Sequence, residues 1–224
     1  MNTKTMYETL MDLPLFKGVS ADHISSFLEK TSIEFHRFTQ GDIIVTQGEP
    51  VRSLKFLLSG EINLCTRVLN GKVQISSKFD GHEAIGATRL FGMHPLYEFT
   101  IEAAENVSIM EFSKEKYISL LQSDPIYMLN FANLLSMNVH KASETFPHFT
   151  RMDLSRVLAE WLVLFTGRKS REIRIGKLST LAEVYGEGMV RNNIDQLLSL
   201  SLISVVEDEV FISDREALIE YAMS

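Results

Sequence analysis

The spacing of hydrophobic positions along the chain changes twice. Residues 13–30 read as a short helical lead-in. Leu13-Pro14-Leu15-Phe16 precedes Gly18, and Ser20-Ala21-Asp22-His23 opens a helix with serine as its cap and Ile24, Phe27 and Leu28 at helical spacing. From Phe35 to Phe112 the period shortens to that of strands. Ile43-Ile44-Val45, Leu54–Leu58, Ile62–Cys65, Val73-Gln74-Ile75 and Val107–Met110 are β-prone runs, with Gly41, Gly48-Glu49-Pro50, Gly60, Asn70-Gly71 and Asp80-Gly81 between most of them. Asn70-Gly71 predicts a tight primed turn, because both residues tolerate positive φ. Short strands with turn signals every eight to twelve residues predict a barrel or sandwich.

From Lys114 the helical period returns. Residues 116–122 predict a short helix, and Asp124-Pro125 starts a long one that Phe146-Pro147 ends. Within it Met128, Phe131, Leu135, Val139 and Ala142 recur at steps of three and four and form one apolar stripe. That stripe can pack on its own barrel or form a seam between two subunits. A helix of about 20 residues spans about 30 Å, more than a small domain covers, which favours the seam, with Asn138 beside it as a register-setting polar residue.

The last third predicts a second domain. Asp153 caps a helix through about Thr166, Gly167-Arg168-Lys169-Ser170 breaks it, and Ile173-Arg174-Ile175 is a short strand. Two helical segments, Leu178–Tyr185 and Met189–Leu200, follow across Gly186-Glu187-Gly188, and 205–212 is a hairpin turning at Glu207-Asp208-Glu209. Two helices across a glycine turn and then a β-hairpin make a winged helix-turn-helix.

Composition narrows the classes. With 224 residues, 45% hydrophobic and 23% charged, the chain can bury one large core or two smaller ones, which excludes disordered and collagen-like chains. The longest apolar runs, such as Trp161–Phe165, fall far short of the ~20 residues of a membrane span, so the expectation is a cytoplasmic protein with no membrane partner. Cys65 is the single cysteine, which excludes an internal disulfide and a cysteine-rich metal site. It reads as core strand, with redox sensing as a minor alternative. No catalytic triad, phosphate loop or metal-spaced histidine set can be assembled, and the chain is expected not to be an enzyme. The net charge of −7 opposes non-specific binding to phosphate. Residues 150–224 carry nine Lys and Arg against twelve acids, but five of the nine lie within 168–177. Positive charge concentrated there could meet a phosphate backbone.

In this order of parts the chain resembles the Crp/Fnr transcription regulators. The resemblance runs from Leu13 to about Ile212. It is carried by Leu13–Ser20, Phe38, Gly41-Asp42, Gln47-Gly48-Glu49 and Phe56–Ile62, and again by Asp153–Ala159. It implies an α+β chain: an N-terminal double-stranded β-helix, a jelly-roll-like β-roll of the cyclic-nucleotide-binding kind (1–123), a dimerisation helix (124–147) and a C-terminal winged helix-turn-helix domain (148–224). The implied function is sequence-specific transcription regulation by a homodimer on an approximately palindromic double-stranded DNA site, with RNA polymerase as a further partner.

The effector pocket departs from the family's pattern. Relatives that bind cyclic AMP carry a glycine-glutamate pair and, near the end of the cassette, an arginine followed by a small hydroxyl residue. Here Gly86 is followed by Ala87, and Tyr97 and Glu98 stand at the arginine and hydroxyl positions, leaving Arg89 as the cation that could turn inward. A phenol beside a carboxylate disfavours a phosphate, which argues against cyclic AMP. Phe91, Met93, His94, Leu96 and Phe99 complete an apolar wall suited to an uncharged ligand. The alternatives are haem, with His94 or Met93 as axial ligand, a small hydrophobe, or no effector at all.

On Met189–Leu200, Val190, Ile194, Leu197 and Leu198 are expected to be buried and Gly188, Asn192, Asp195, Gln196 and Ser199 to face outward, flanked by Arg191 and Asn193. Asn192 and Gln196 can each pair with an adenine edge, while Arg174 and Lys177 are expected on phosphates. The acidic wing is expected to stay off the DNA. A degenerate relative that acts only through protein contacts is the remaining alternative.

Overall fold

The computed structural model describes residues 6–30, 33–80 and 83–224. The chain forms two compact units: the described residues up to Ile62 with Asp80–Val139, and Asn63–Phe79 with His140–Ser224. The boundaries therefore fall inside two strands and one helix, and the chain passes between the units three times.

The first unit opens with α1 (Met6–Met11), a 3₁₀ turn at Pro14–Phe16 and α2 (Ala21–Lys30). The cap expected of Ser20 is present, its Oγ accepting from the His23 amide at 3.3 Å. Next come β1 (Glu34–Phe38), β2 (Ile43–Val45), β3 (Ser53–Ser59), β4 (Glu61–Val68), β5 (Val73–Asp80), β6 (Glu83–Ile85), β7 (Thr100–Ala103) and β8 (Val107–Ser113). In this unit an antiparallel sheet runs β1-β8-β3-β6, and β2 pairs with β7. The helices α3 (Lys114–Ser123) and α4 (Pro125–Thr145) follow. Phe16, Phe56 and Phe112 are fully buried, and their rings lie 5.9 Å (Phe16–Phe56) and 5.4 Å (Phe56–Phe112) apart, so the lead-in is locked onto β3 and β8. Gly60 turns the corner between β3 and β4 at φ +94, and a Cβ there would lie 2.5 Å from the Asn106 carbonyl oxygen.

The second unit holds α5 (Leu154–Phe165), β9 (Arg171–Lys177), α6 (Leu178–Tyr185), α7 (Glu187–Ser199), β10 (Ile203–Val206), β11 (Glu209–Ile212) and α8 (Arg215–Met223). Asp153 caps α5 as expected, accepting from the Ser155 amide at 2.9 Å. Burial pushes the Asp153 carboxyl upward, but hydrogen bonds from Ser155 and Arg151 outweigh it and hold the group below the usual range. Leu154, Leu158 and Leu162 of α5 meet Ile175, Leu181, Leu197, Val210, Leu218 and Ala222 in one core. Val73 and Ile75 of β5 belong to the same core, and β5 lies beside β9 in the strand order β10-β11-β9-β5. The Asn70-Gly71 turn between β4 and β5 has the expected positive φ, 55° and 85°, and Leu69 joins it at 53°.

The α+β class expected from the sequence is the class observed, with N-terminal sheets and C-terminal helices. Three details differ. The strand expected at 173–175 runs from Arg171 to Lys177, because β5 and β11 pair along both of its edges. The helix expected from Met189 begins at Glu187, leaving Gly186 alone, at φ 90°, to make the turn. The helix α8 has no counterpart among the elements expected from the sequence, and Asp214 starts it by accepting from the Ala217 amide at 3.0 Å.

Candidate functional sites

The segment 83–99 is built around Gly86, whose φ of 77° starts the 3₁₀ turn Ala87–Arg89. Backbone bonds tie the end of the segment to residues 48–51. The Tyr97 amide donates to the Glu49 carbonyl at 2.9 Å, the Gly48 amide to the Tyr97 carbonyl at 2.9 Å, and the Val51 amide to the Pro95 carbonyl at 2.6 Å. This ladder lays the Tyr97 ring over Gly86: a Cβ on Gly86 would stand 2.9 Å from Tyr97 Cε1 and 3.2 Å from Val51 Cγ1. Tyr97 is 7% exposed and Ala87 3%. Arg89 does not turn inward; it is held in an ion pair by Glu98. Tyr97 and Glu98 thus act on the segment in different ways, Tyr97 by filling space and Glu98 by holding the arginine.

The Tyr97 hydroxyl is buried with no hydrogen-bond partner among the described residues. Burial raises its pKa above the ordinary phenol value, with the Lys55 ammonium working the other way. Lys55 Nζ donates to Ser53 Oγ at 2.7 Å and to Glu111 Oε1 at 2.8 Å. Burial pushes the Glu111 carboxyl up, but the bonds and charge around it, Lys55 foremost, bring it below its usual value.

The wall expected of this pocket is not assembled. Phe91 turns toward the helices instead, 5.5 Å from the Phe131 ring and 6.4 Å from Tyr117, with Lys114 Nζ 4.8 Å above it. Met93 is 91% exposed, and His94 and Leu96 are exposed as well, so no axial-ligand pair for haem is enclosed there. Among the described residues no three His, Cys, Asp or Glu side chains cluster to hold a metal ion.

On α4, Phe131 is a correction to the expected stripe. It is 8% exposed and packs inside its own unit against Phe91 and Tyr117, because these aromatics, distant in sequence, converge on that face. Asn130 Nδ2 fastens the same side to the Lys17 carbonyl at 2.8 Å. Met128 (48%) and Val139 (67%) are exposed with Leu129 and Met137, and Leu135 is half-buried. The side chains of Asn138 and Ala142 lie outside the described residues.

The surface of α7 follows its predicted periodicity with one exception. Val190, Ile194 and Leu197 are buried, and Gly188, Arg191, Asn192, Asp195, Gln196 and Ser199 are exposed. Leu198, expected inside, is 39% exposed, since it follows Leu197 by one residue and therefore lies about 100° further round the helix. Asn193 is spent locally, its Nδ2 donating to the Met189 carbonyl at 2.7 Å. Arg174 is half-buried in β9 and pairs with Glu209 at 3.6 Å, whereas Lys177 is exposed at the start of α6.

The acidic turn has a structural task that sequence reading missed. Glu207 and Asp208 take positive φ, and Asp208 reaches across to the first turn of α6. It accepts from the Ser179 amide at 3.1 Å and from the Ser179 hydroxyl at 2.5 Å, while its carbonyl accepts from the Leu178 amide at 2.7 Å. The side-chain bond to Ser179 holds the Asp208 carboxyl below its usual range. A carboxylate with a lowered pKa stabilises the fold above its unfolded pKa and loses that effect as pH falls through the folded one. Asp208→Ala is therefore expected to lower the melting midpoint by about 2–4 °C at pH 7. The gap to wild type should narrow as pH falls below about 3.9, the ordinary carboxylate value, in thermal melts followed by circular dichroism. A gap that does not narrow would mean that the loss is not electrostatic.

Residues 35–124 match the cyclic nucleotide-binding domain family. Among curated relatives, the potassium channel KOR1 of Oryza sativa subsp. japonica is 24% identical over 143 residues, 63% of this chain and 16% of the channel. The cAMP-activated global transcriptional regulator CRP of Pasteurella multocida is 21% identical over 128 residues, 57% of this chain and 61% of the regulator. The matches thus span less than two thirds of either relative. Among solved structures, the Thermus thermophilus catabolite activator protein superposes with a TM-score of 0.54 at 20% identity, covering 94% of this chain and 98% of that one. The N-terminal domain of a Streptomyces coelicolor A3(2) transcriptional regulator gives 0.50 at 18% identity over 61% and 93%. The match to the cyclic nucleotide-binding domain over residues 35–124 thus lies within an α+β fold like that of the Thermus thermophilus catabolite activator protein.

Proposed function

We propose that the protein is a DNA-binding transcription regulator whose β-roll has lost the cyclic-nucleotide response. The observation that carries the DNA reading is α7, a helix with its apolar stripe buried and Arg191, Asn192 and Gln196 exposed together, preceded across one glycine by α6 and followed by a two-stranded wing. Asn192 and Gln196 lie one turn apart and suit adenine edges in a major groove, and Lys177 suits a phosphate. Segments 1–123, 124–147 and 148–224 serve as sensor, dimerisation helix and reader. The exposed Met128 and Val139 on α4 supply the surface through which two copies pair, and a two-fold pair reads an approximately palindromic site.

The test is selection of duplexes from a random pool, followed by fluorescence anisotropy at fixed salt on the selected inverted repeat and on its scrambled form. A preference of about 10³-fold or more is expected, the lower end for specific regulators. Equal affinities would overturn the DNA reading.

The loss of the nucleotide response rests on Tyr97 and Glu98. With the ring on Gly86 and Arg89 already paired, a bound cyclic phosphate would displace a buried phenol and break an ion pair before gaining any contact. Isothermal titration with cyclic AMP and cyclic GMP is expected to show no saturable binding at about 1 mM, less than the roughly 4 kcal/mol that such affinity requires. A micromolar Kd for either would overturn the reading.

A further inference from the structure

The hairpin of β4 and β5 lies within the sequence of the sensor segment, yet Asn63–Phe79 belong to the same compact unit as His140–Ser224. Its second strand continues the sheet of the wing. Ile75 faces Ile175, Ser76 faces Arg174 and Lys78 faces Arg171 in antiparallel register, so β9 has β11 on one edge and β5 on the other. The side chains agree with the backbone. Val73 and Ile75 are 1% and 2% exposed in the core that also holds Leu181 of α6 and Val190, Ile194 and Leu197 of α7. Lys72 pairs with Glu183 of α6 at 3.3 Å and Lys78 with Glu172 of β9 at 2.8 Å. Those ion pairs are exposed and contribute little. The sheet edge and the two buried aliphatic side chains carry the association, since without β5 the strand β9 would present unpaired amides and an uncovered apolar face.

We infer that the 63–79 hairpin is a coupling arm, a fixed strand of the reader's sheet through which a change in the sensor's strands reaches α6 and α7. The strands β4 and β5 run unbroken through Ile62-Asn63 and Phe79-Asp80, so the hairpin is continuous in backbone with residues of the first unit. The role of α7 as the reading helix rests on the function proposed above. The arm itself does not, and its tests need no DNA.

The full chain carrying Cys65→Ser, Ser76→Cys and Arg174→Cys should form a disulfide under mild oxidation, because directly opposed antiparallel positions lie within the reach of that bond. Near-complete cross-linking, read by mass spectrometry of non-reduced peptides, is expected; failure of the folded protein to cross-link would overturn the arm. In the Cys65→Ser background, Ile75→Ala is expected to speed amide exchange at least tenfold in β9, β11 and α6 and to leave β3 and β8 within twofold. Faster exchange confined to the hairpin, or falling instead on β3 and β8, would overturn the proposal. Cross-linking by a protein that shows no DNA preference would remove the proposed function and leave the arm standing.

Discussion

Gly60→Ala is expected to lower the stability of the first unit by about 3 kcal/mol or more, a shift of at least about 5 °C in its thermal midpoint. Two terms add at this corner. An L-residue at φ +94 carries strain of about 1–3 kcal/mol. The new Cβ would also stand 2.5 Å from the Asn106 carbonyl oxygen and 3.0 Å from Val107 Cα, and both are backbone atoms of the turn into β8 that no rotamer change can move. Gly41→Ala separates the terms, because φ there is +88 but nothing lies within 4 Å of the added atom. Differential scanning calorimetry should show a clearly smaller loss for Gly41→Ala than for Gly60→Ala. Equal losses would mean that the close approach at Gly60 contributes nothing.

Asn192→Ala is expected to weaken binding to the selected inverted repeat by about 1–3 kcal/mol for each half-site, from fivefold to more than a hundredfold. Binding to the scrambled duplex should stay within twofold. The side chain is exposed on α7 opposite the buried stripe of Val190, Ile194 and Leu197, so its removal disturbs no packing. Lys177→Ala should behave differently, lowering affinity for both duplexes by the same factor and making the salt dependence shallower, as the loss of a phosphate contact does. Competition anisotropy at two salt concentrations distinguishes the two patterns. Uniform weakening by Asn192→Ala would remove its assignment to a base edge.

Most of the local structure was legible in the sequence, because its causes are local. Ser20 and Asp153 cap the helices that follow them, Asn70-Gly71 takes the positive φ that its residue types permit, and the stripe on α7 has the period that buries it. What escaped depends on partners far away along the chain. Phe131 belongs by spacing to the outward stripe of α4, but Phe91 and Tyr117 draw it inward. Arg174 reads as a free cation until Glu209, 35 residues later, is placed beside it on the neighbouring strand. Asp208 reads as part of a repellent acidic tip, and only the return of the wing toward α6 turns its carboxylate into a cap for Ser179. α8 is the exception, since Asp214 at its start was a readable cap. Its buried residues Leu218, Ile219 and Ala222 cover little more than one turn, too few to establish a period.

The pairing of Ile75 with Ile175 also sets a schedule for the chain as it leaves the ribosome. At synthesis rates of roughly 5–20 residues per second, β5 emerges about 5–20 s before the strand it pairs with. Through that interval Val73 and Ile75 have no core to enter and one strand edge is open, which leaves the 63–79 hairpin of the nascent chain exposed to mispairing until β9 arrives.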